Sequence, residues 1–290
     1  MINKEIALVL EGGGVKCAYE LGAMMALEEM GYHFISISGA SFGALNGALY
    51  LQGGIKAVFD FYNNFDQKSL YIDEYTINFV NNYNGDKNDF TNAMMNHLKE
   101  SSGDLMNKRS EISNHYQPMI KSLIDNKKVK DSPIELYMSE LEVSNSPLIL
   151  PMILGAYFSK NKAPLELLKN TGQISPFIMS KNDVDFSLIA DYIVASANYP
   201  ICNPYEIEGR YYLDGGITNN VPYEILLEKG YENIVIIRTN IEDLDENLYK
   251  NPNILEIRPK ESLGSALYFT RDNIMELMKQ GYQDVKAKLG

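Results

Sequence analysis

Phe34-Ile35-Ser36-Ile37-Ser38-Gly39-Ala40-Ser41-Phe42-Gly43 is the stretch on which the reading of this chain turns. Its first five residues form a short alternating apolar run, the pattern of a strand. From Phe42 to Tyr50 the sequence is apolar and rich in Ala and Leu, which predicts a helix. Between them stands Gly-x-Ser-x-Gly, with Ser41 at its centre. Strand, sharp turn, helix is the setting in which that pentapeptide presents a nucleophilic serine. The glycines leave room beside a serine held in a strained backbone conformation. The helix that follows points its free N–H groups at the serine and favours negative charge developing there. A plain small-residue turn fits the same five residues, so the motif needs a second observation.

That observation lies upstream. Ile6-Ala7-Leu8-Val9-Leu10 is a continuous apolar run of strand length, as in a buried parallel strand. Glu11 is expected to end it, and Gly12-Gly13-Gly14 follows. From Val15 to Met30 the apolar residues Leu21, Met24 or Met25, and Met30 recur at helical spacing. Consecutive glycines let backbone N–H groups converge on an anion. One such anion is a phosphate, as in a nucleotide-binding module. Another is the oxyanion of a tetrahedral intermediate in acyl transfer. The dinucleotide fingerprint asks for G-x-G-x-x-G and an acidic residue about 20 positions on, and here Cys17 occupies the place of the last glycine. Lys16 sits at a helix start, where a cation is disfavoured. It either attracts an acidic headgroup or is a solvated residue with a packed carbon stem.

A third element is Leu213-Asp214-Gly215-Gly216, preceded by the strand-like Tyr211-Tyr212. On its own it reads as an Asp-Gly turn. The histidines constrain the chemistry further. There are three, His33, His97 and His115, and none follows residue 115. No histidine follows Asp214, so the order serine, Asp214, histidine is impossible. The order histidine, aspartate, serine fails because no Asp precedes Ser41. A nucleophilic serine here needs a lysine or a carboxylate as base. An Asp with an ordinary pKa of about 4 is ionised at neutral pH and can take the proton if held within reach. The histidines show no metal-ligand spacing and read as surface or satisfied polar residues. No metal or cofactor is expected.

Glu11-Gly12-Gly13-Gly14-Val15-Lys16, the run Gly39 to Gly47, Ala195-Ser196-Ala197-Asn198-Tyr199-Pro200 and the run Tyr212 to Pro222, in that order, resemble the patatin-like phospholipases. The resemblance spans residue 5 to the mid-220s. It implies a three-layer α/β/α sandwich with a mostly parallel sheet, and a Ser–Asp dyad with Ser41 as nucleophile and Asp214 as general base. Gly12, Gly13 and Gly14 carry over as the oxyanion loop. The implied activity is hydrolysis of lipid carboxylic esters through an acyl-enzyme, phospholipase A-like or lysophospholipase-like. The implied partners are a lipid substrate and transient contact with a membrane or micelle surface. One departure is Cys17, where the family usually has glycine. Its Cβ either narrows the loop or fills space beside the helix, and its thiol reads as a packed group and not as a second nucleophile. A phosphate-binding module using Gly12–Gly14 without hydrolysis is the alternative.

Composition sets the frame. The 290 residues, 45% of them hydrophobic, suffice for a sizeable core. Two cysteines, Cys17 and Cys202, give no disulfide framework and point to a reducing compartment. The absence of a leader pattern at the start and of any long apolar run leads to an expectation of a cytoplasmic protein, peripheral at membranes when it meets lipid. The formal net charge of −12 argues against nucleic-acid binding.

The charge is unevenly spread. Between Thr76 and Lys130, eight Lys and Arg face six Asp and Glu. This Asn-rich stretch also breaks the strand–helix rhythm, so it is expected to form a mobile helical cap over the site. Its apolar candidates are Met94, Met95, Leu98, Met119, Ile120 and Leu123. Beyond it the parallel-sheet pattern is expected to return. Strands are predicted at 133–138 (where a helix is the alternative), 148–154 (despite Pro151), 233–238 and 253–257, with helices over 185–197, 221–230 and 265–288. Ile274, Met278 and Val285 of the last helix form a core-facing stripe. No linker or repeat divides the chain, and one domain over 1–290 is expected.

Overall fold

The computed structural model describes residues 4–70, 73–102, 105–146, 148–159, 161–244, 246 and 248–290. The N-terminal part alternates as the sequence suggests: β1 (Glu5–Leu10), α1 (Ala18–Glu29), β2 (His33–Gly39) and α2 (Phe42–Asn63). Four helices follow, α3 (Glu74–Asn82), α4 (Phe90–Ser102), α5 (Leu105–Ser122) and α6 (Asn126–Asp131). The chain then re-enters the sheet as β3 (Glu135–Val143). Next come α7 (Ile149–Ser159), α8 (Ala163–Asn170), β4 (Ile174–Ser180), α9 (Ile189–Ser196), β5 (Tyr205–Ile207) and β6 (Arg210–Asp214). The final elements are α10 (Glu224–Glu228), β7 (Ile234–Ile237), β8 (Ile254–Ile257) and α11 (Arg271–Leu289).

One sheet holds these strands. β3, β2, β1, β7 and β8 run parallel in that spatial order. The alternation along β1 assigns its two faces. Ile6, Leu8 and Leu10 pack with the buried residues of α1, α2 and α11. Ala7 and Val9 pack on the other side with Val221, Leu226 and Ile236. Strand residues two apart share a face, so the sheet is buried on both sides and the architecture is a three-layer α/β/α sandwich. Ile274, Met278 and Val285 of α11 are core residues.

β3 is longer than predicted, and its extra length organises the site. Its first part pairs with β2 in parallel, ending at Met138 opposite Gly39. Its second part pairs antiparallel with β6, from Val143 opposite Tyr211 to Glu140 opposite Asp214. Along the opposite edge, β4 pairs with both parts. β2 and β6 therefore occupy the same edge of β3, running toward each other. Their C-terminal ends meet beside Ser139. A strand edge shared this way brings residues distant in sequence to one point.

Two expectations are corrected here. The run 148–154 is not a strand: Ile149 to Ser159 is a helix. A short apolar run does not distinguish a buried strand from a buried helix. Pro151 falls in the first helical turn, where a missing N–H costs nothing. Past the four-helix segment the pairing is also not simply parallel, because β4, β5 and β6 pair antiparallel. The other predicted elements form with shifted ends. The last helix begins at Arg271, where Thr270 caps it through Asn273 N–H.

Candidate active site

Ser41 stands in the turn between β2 and α2 with φ 54° and ψ −129°. For a non-glycine residue this conformation is strained, at a cost of about 1–3 kcal/mol. Its surroundings enforce it. At Gly39 a Cβ would lie 2.6 Å from Ala44 N, so β2 and α2 can meet this tightly only at a glycine. Ser41 N–H donates to Ser196 Oγ at 3.3 Å, and Ser196 Oγ donates to the carbonyl of Ser139 at 2.7 Å. The turn is thus bolted to β3 through α9.

Asp214 ends β6. Ser41 Oγ donates to its Oδ2 at 2.6 Å, although 173 positions separate them in sequence. Its Oδ1 accepts from Gly216 N–H at 2.8 Å, which fixes the carboxylate plane. Asp214 N–H donates to Asn198 O, and Asn198 Nδ2 donates to Tyr212 O and Asn203 O. Both members of the pair are buried, at 8% and 5% exposure. Burial pushes the Asp214 carboxyl up to about 7, against the opposing pull of the Ser41 and Gly216 hydrogen bonds. A carboxylate with a pKa near neutrality is well matched to proton transfer at neutral pH.

The glycine loop lies against this pair. A Cβ on Gly12 would come within 2.9 Å of Ser41 Cβ and 2.4 Å of Asn220 Oδ1. Gly12 N–H donates to Asn220 O. Among the described residues, the N–H groups of Gly13 and Gly14 have no protein acceptor. The anchor of the loop is Glu11, which does more than end a strand. Its buried carboxylate accepts from Arg238 Nε at 2.9 Å, Thr239 N–H at 2.7 Å, and Asn240 N–H and Nδ2. Asn220 Nδ2 reaches both Glu11 Oε1 and Gly12 O. Arg238 continues to Glu256 at 2.7 Å. This buried ion pair, completed by hydrogen bonds, ties the loop to the end of β7.

Lys16 is half-buried, and Nζ donates to Asn240 Oδ1 at 2.6 Å. Burial lowers its pKa, partly offset by Glu11. Cys17 is fully buried, its Sγ is 3.4 Å from Glu11 O, and burial holds its thiol protonated. A protonated, inaccessible thiol is not a nucleophile.

Glu140 gave no signal in the sequence. It lies opposite Asp214 in the antiparallel register and therefore on the same face. It is fully buried, and among the described residues neither carboxyl oxygen has a partner. Burial first, and Asp214 second, push its pKa well above the carboxylate range. Of the histidines, His33 and His115 are exposed. His97 is buried between the rings of Tyr75 and Phe79, at 4.5 and 4.2 Å between centroids. Among the described residues no cluster of three His, Cys, Asp or Glu side chains could hold a metal.

Ser41, Asp214, Gly12–Gly14 and Lys16 all border one cavity of about 190 Å³. Its remaining wall is largely apolar, with Phe42, Ile112, Ile201, Ile217, Leu267 and Phe269. α5 contributes Ile112 and Tyr116 to it. That helix is stitched in place. Buried Arg109 donates to the carbonyls of Pro200, Ile201 and Cys202. Tyr116 donates to Ala197 O at 2.6 Å, and Gln117 to Asn198 Oδ1 at 3.0 Å. Met94, Leu98 and Ile120 are buried in the main core, and Met95, Met119 and Leu123 pack partly buried against it. Residues 103 and 104 of the expected cap lie outside the described residues.

The sequence matches the family described as patatin-like phospholipase over residues 8–227, which includes Gly12–Gly14, Lys16, Ser41 and Asp214. The chain belongs to that family. Lysophospholipase nte1 of Aspergillus terreus (strain NIH 2624 / FGSC A1156) is 44% identical over 50 residues, 17% of this chain and 3% of that protein. VipD from Legionella pneumophila has a similar fold at 15% identity, with a TM-score of 0.50 over 98% of this chain and 66% of VipD. ExoU in its complex with SpcU from Pseudomonas aeruginosa gives 0.48 at 16% identity, over 99% of this chain and 52% of that one. The chain thus spans just under two-thirds of VipD, about half of ExoU and a small part of the lysophospholipase. Among the described residues, no helix is long and apolar enough to cross a membrane.

Proposed function

We propose that this member of the family is a lipid acyl hydrolase, phospholipase A-like or lysophospholipase-like, working through a Ser41 acyl-enzyme. The observation that carries the reading is the 2.6 Å Ser41–Asp214 hydrogen bond at the wall of a mainly apolar cavity. In the first half-reaction Asp214 takes the Ser41 proton as Oγ attacks the ester carbonyl. The N–H groups of Gly13 and Gly14 hold the oxyanion, and the proton passes to the departing alcohol. In the second, Asp214 takes a proton from water, which attacks the acyl-enzyme, and returns it to Ser41 as the fatty acid leaves. Lys16 is the cation available to an acidic headgroup. A phosphate-binding module would need the glycine loop alone; the Ser41–Asp214 pair, in a cavity apolar enough for acyl chains, favours hydrolysis. Incubation with a mixture of phospholipids, lysophospholipids, neutral lipids and soluble esters, read by mass spectrometry, tests this. Release of fatty acid by wild type and not by Ser41→Ala is the expected result. Equal release by both would refute it.

A further inference from the structure

Beyond the main cavity lies a smaller chamber of about 50 Å³, lined in part by residues of α3, α4 and α5. Leu70, Ile112, Ile201 and Leu267 border both spaces, so the two are adjacent across a four-residue apolar neck. Met94 and Leu98 of α4 form the chamber's apolar floor. Its polar lining is confined to Asp73, Thr76 and Lys108. Lys108 Nζ and Asp73 Oδ2 are 2.8 Å apart, and both side chains keep contact with solvent.

We propose that this chamber receives the terminal methylenes of the scissile acyl chain, and that Leu98 with the Lys108–Asp73 pair sets the longest chain accepted. The proposal rests on the acyl-hydrolase reading for its substrate class. An ester carbonyl on Ser41 directs one substituent along the apolar wall, past Ile112 and Ile201, toward the neck. The chamber's two charges are already paired with each other, so it gains little from a charged headgroup, whereas each methylene buried against its apolar lining raises affinity on the order of fourfold. The gain ends at the ion pair, because a methyl group pressed against it strips water from two charges without replacing their hydrogen bonds. The small volume means that the chamber takes only the last few carbons. The helices of the insertion then act as a ruler for chain length, held in register with Ser41 by the ties from α5 to residues 197–203.

The test uses wild type, Leu98→Trp and Leu98→Ala. Two quantities are measured: kcat/KM on p-nitrophenyl esters from butyrate to palmitate, and calorimetric affinity for the matching fatty acids. Leu98→Trp fills the chamber and should lower the long-to-short ratio by tenfold or more in both series. Leu98→Ala enlarges it and should move the preferred chain longer, a shift that misfolding cannot produce. The fatty-acid series does not depend on hydrolysis. Length-dependent affinity that responds to Leu98 without any ester turnover would sustain the chamber and remove the acyl-hydrolase reading. The same length preference in all three proteins would overturn the chamber.

Discussion

The end of the sheet and the helical insertion border the same cavity, yet they are built on opposite plans. At the sheet end, β2 and β6 converge along one edge of β3. The polar groups of Ser41, Asp214 and Glu11 are met by backbone or buried side chains, and charge is concentrated and paired. The insertion, α3 to α6, contributes mainly apolar side chains to the cavity and keeps its ion pairs away from Ser41, at the surface as in Lys127–Asp131 or beside the smaller chamber as in Lys108–Asp73. The contrast separates two tasks. Reacting groups need fixed geometry, which strand ends supply; a binding wall for an alkyl chain needs only shape and dryness. α5 belongs structurally to the first plan, since Arg109, Tyr116 and Gln117 stitch it to residues 197–203.

If the division is right, substitutions at the sheet end remove activity on every substrate. Ser41→Ala and Asp214→Asn should each lower kcat by on the order of ten-thousandfold, as in other serine hydrolases that lose a catalytic member. Short soluble esters and aggregated lipid should be affected alike. Gly12→Ala comes next. Its Cβ must displace Ser41 or Asn220, and misplacing the neighbouring donors should cost on the order of a hundredfold in kcat.

Replacing residues 76–130 by a short linker would break the comparison in the other direction. Because Met94, Leu98 and Ile120 are part of the main core, stability should fall along with activity on lipid. Arg109→Ala is the milder form. It strands three buried carbonyls, at a cost of about 1–3 kcal/mol each at most, and loosens the wall that Ile112 and Tyr116 provide. Thermal melts with assays on long and short esters check both: long-chain activity should fall more than short.

The acid pair allows a finer test by pH. Asp214 must be ionised to act as base, so kcat/KM should rise through about pH 7 and level above it. The stability effect has the opposite direction. An Asp with an unfolded pKa of about 3.9 holds its proton longer when folded, so stability attributable to it declines as pH rises from about 4 to 7. Asp214→Asn should therefore melt higher than wild type at pH 8 and show little difference at pH 4. Glu140→Met should behave likewise, because it removes a buried carboxyl that has no partner among the described residues. The smallest effect is expected for Cys17→Gly, where packing and one weak thiol hydrogen bond to Glu11 O are lost; abolished activity would give the thiol a role that its burial denies.

Much of this was legible in the sequence because the signals are local. β1, β2 and β7 are apolar runs, and Ser41 and Asp214 sit beside glycines required by close approach. What was hidden depends on tertiary register. Glu11 reads as a strand terminator until Arg238 and Asn240, more than two hundred positions away, arrive beside it. Glu140 looks like any strand glutamate until Asp214 pairs opposite it. The run 148–154 failed for a different reason: apolarity gives burial but not periodicity, and Pro151 suits a helix start as well as it unsuits a strand.

The central claim is that Ser41 is a nucleophile activated by Asp214. Labelling with a fluorophosphonate, followed by peptide mass spectrometry, tests it most directly. The account predicts one adduct, on Ser41, forming faster as pH rises through about 7. It predicts no adduct there in Ser41→Ala and labelling slowed by orders of magnitude in Asp214→Asn. An adduct on another residue of the wild-type protein, or an Asp214→Asn variant labelled at the wild-type rate, would contradict it.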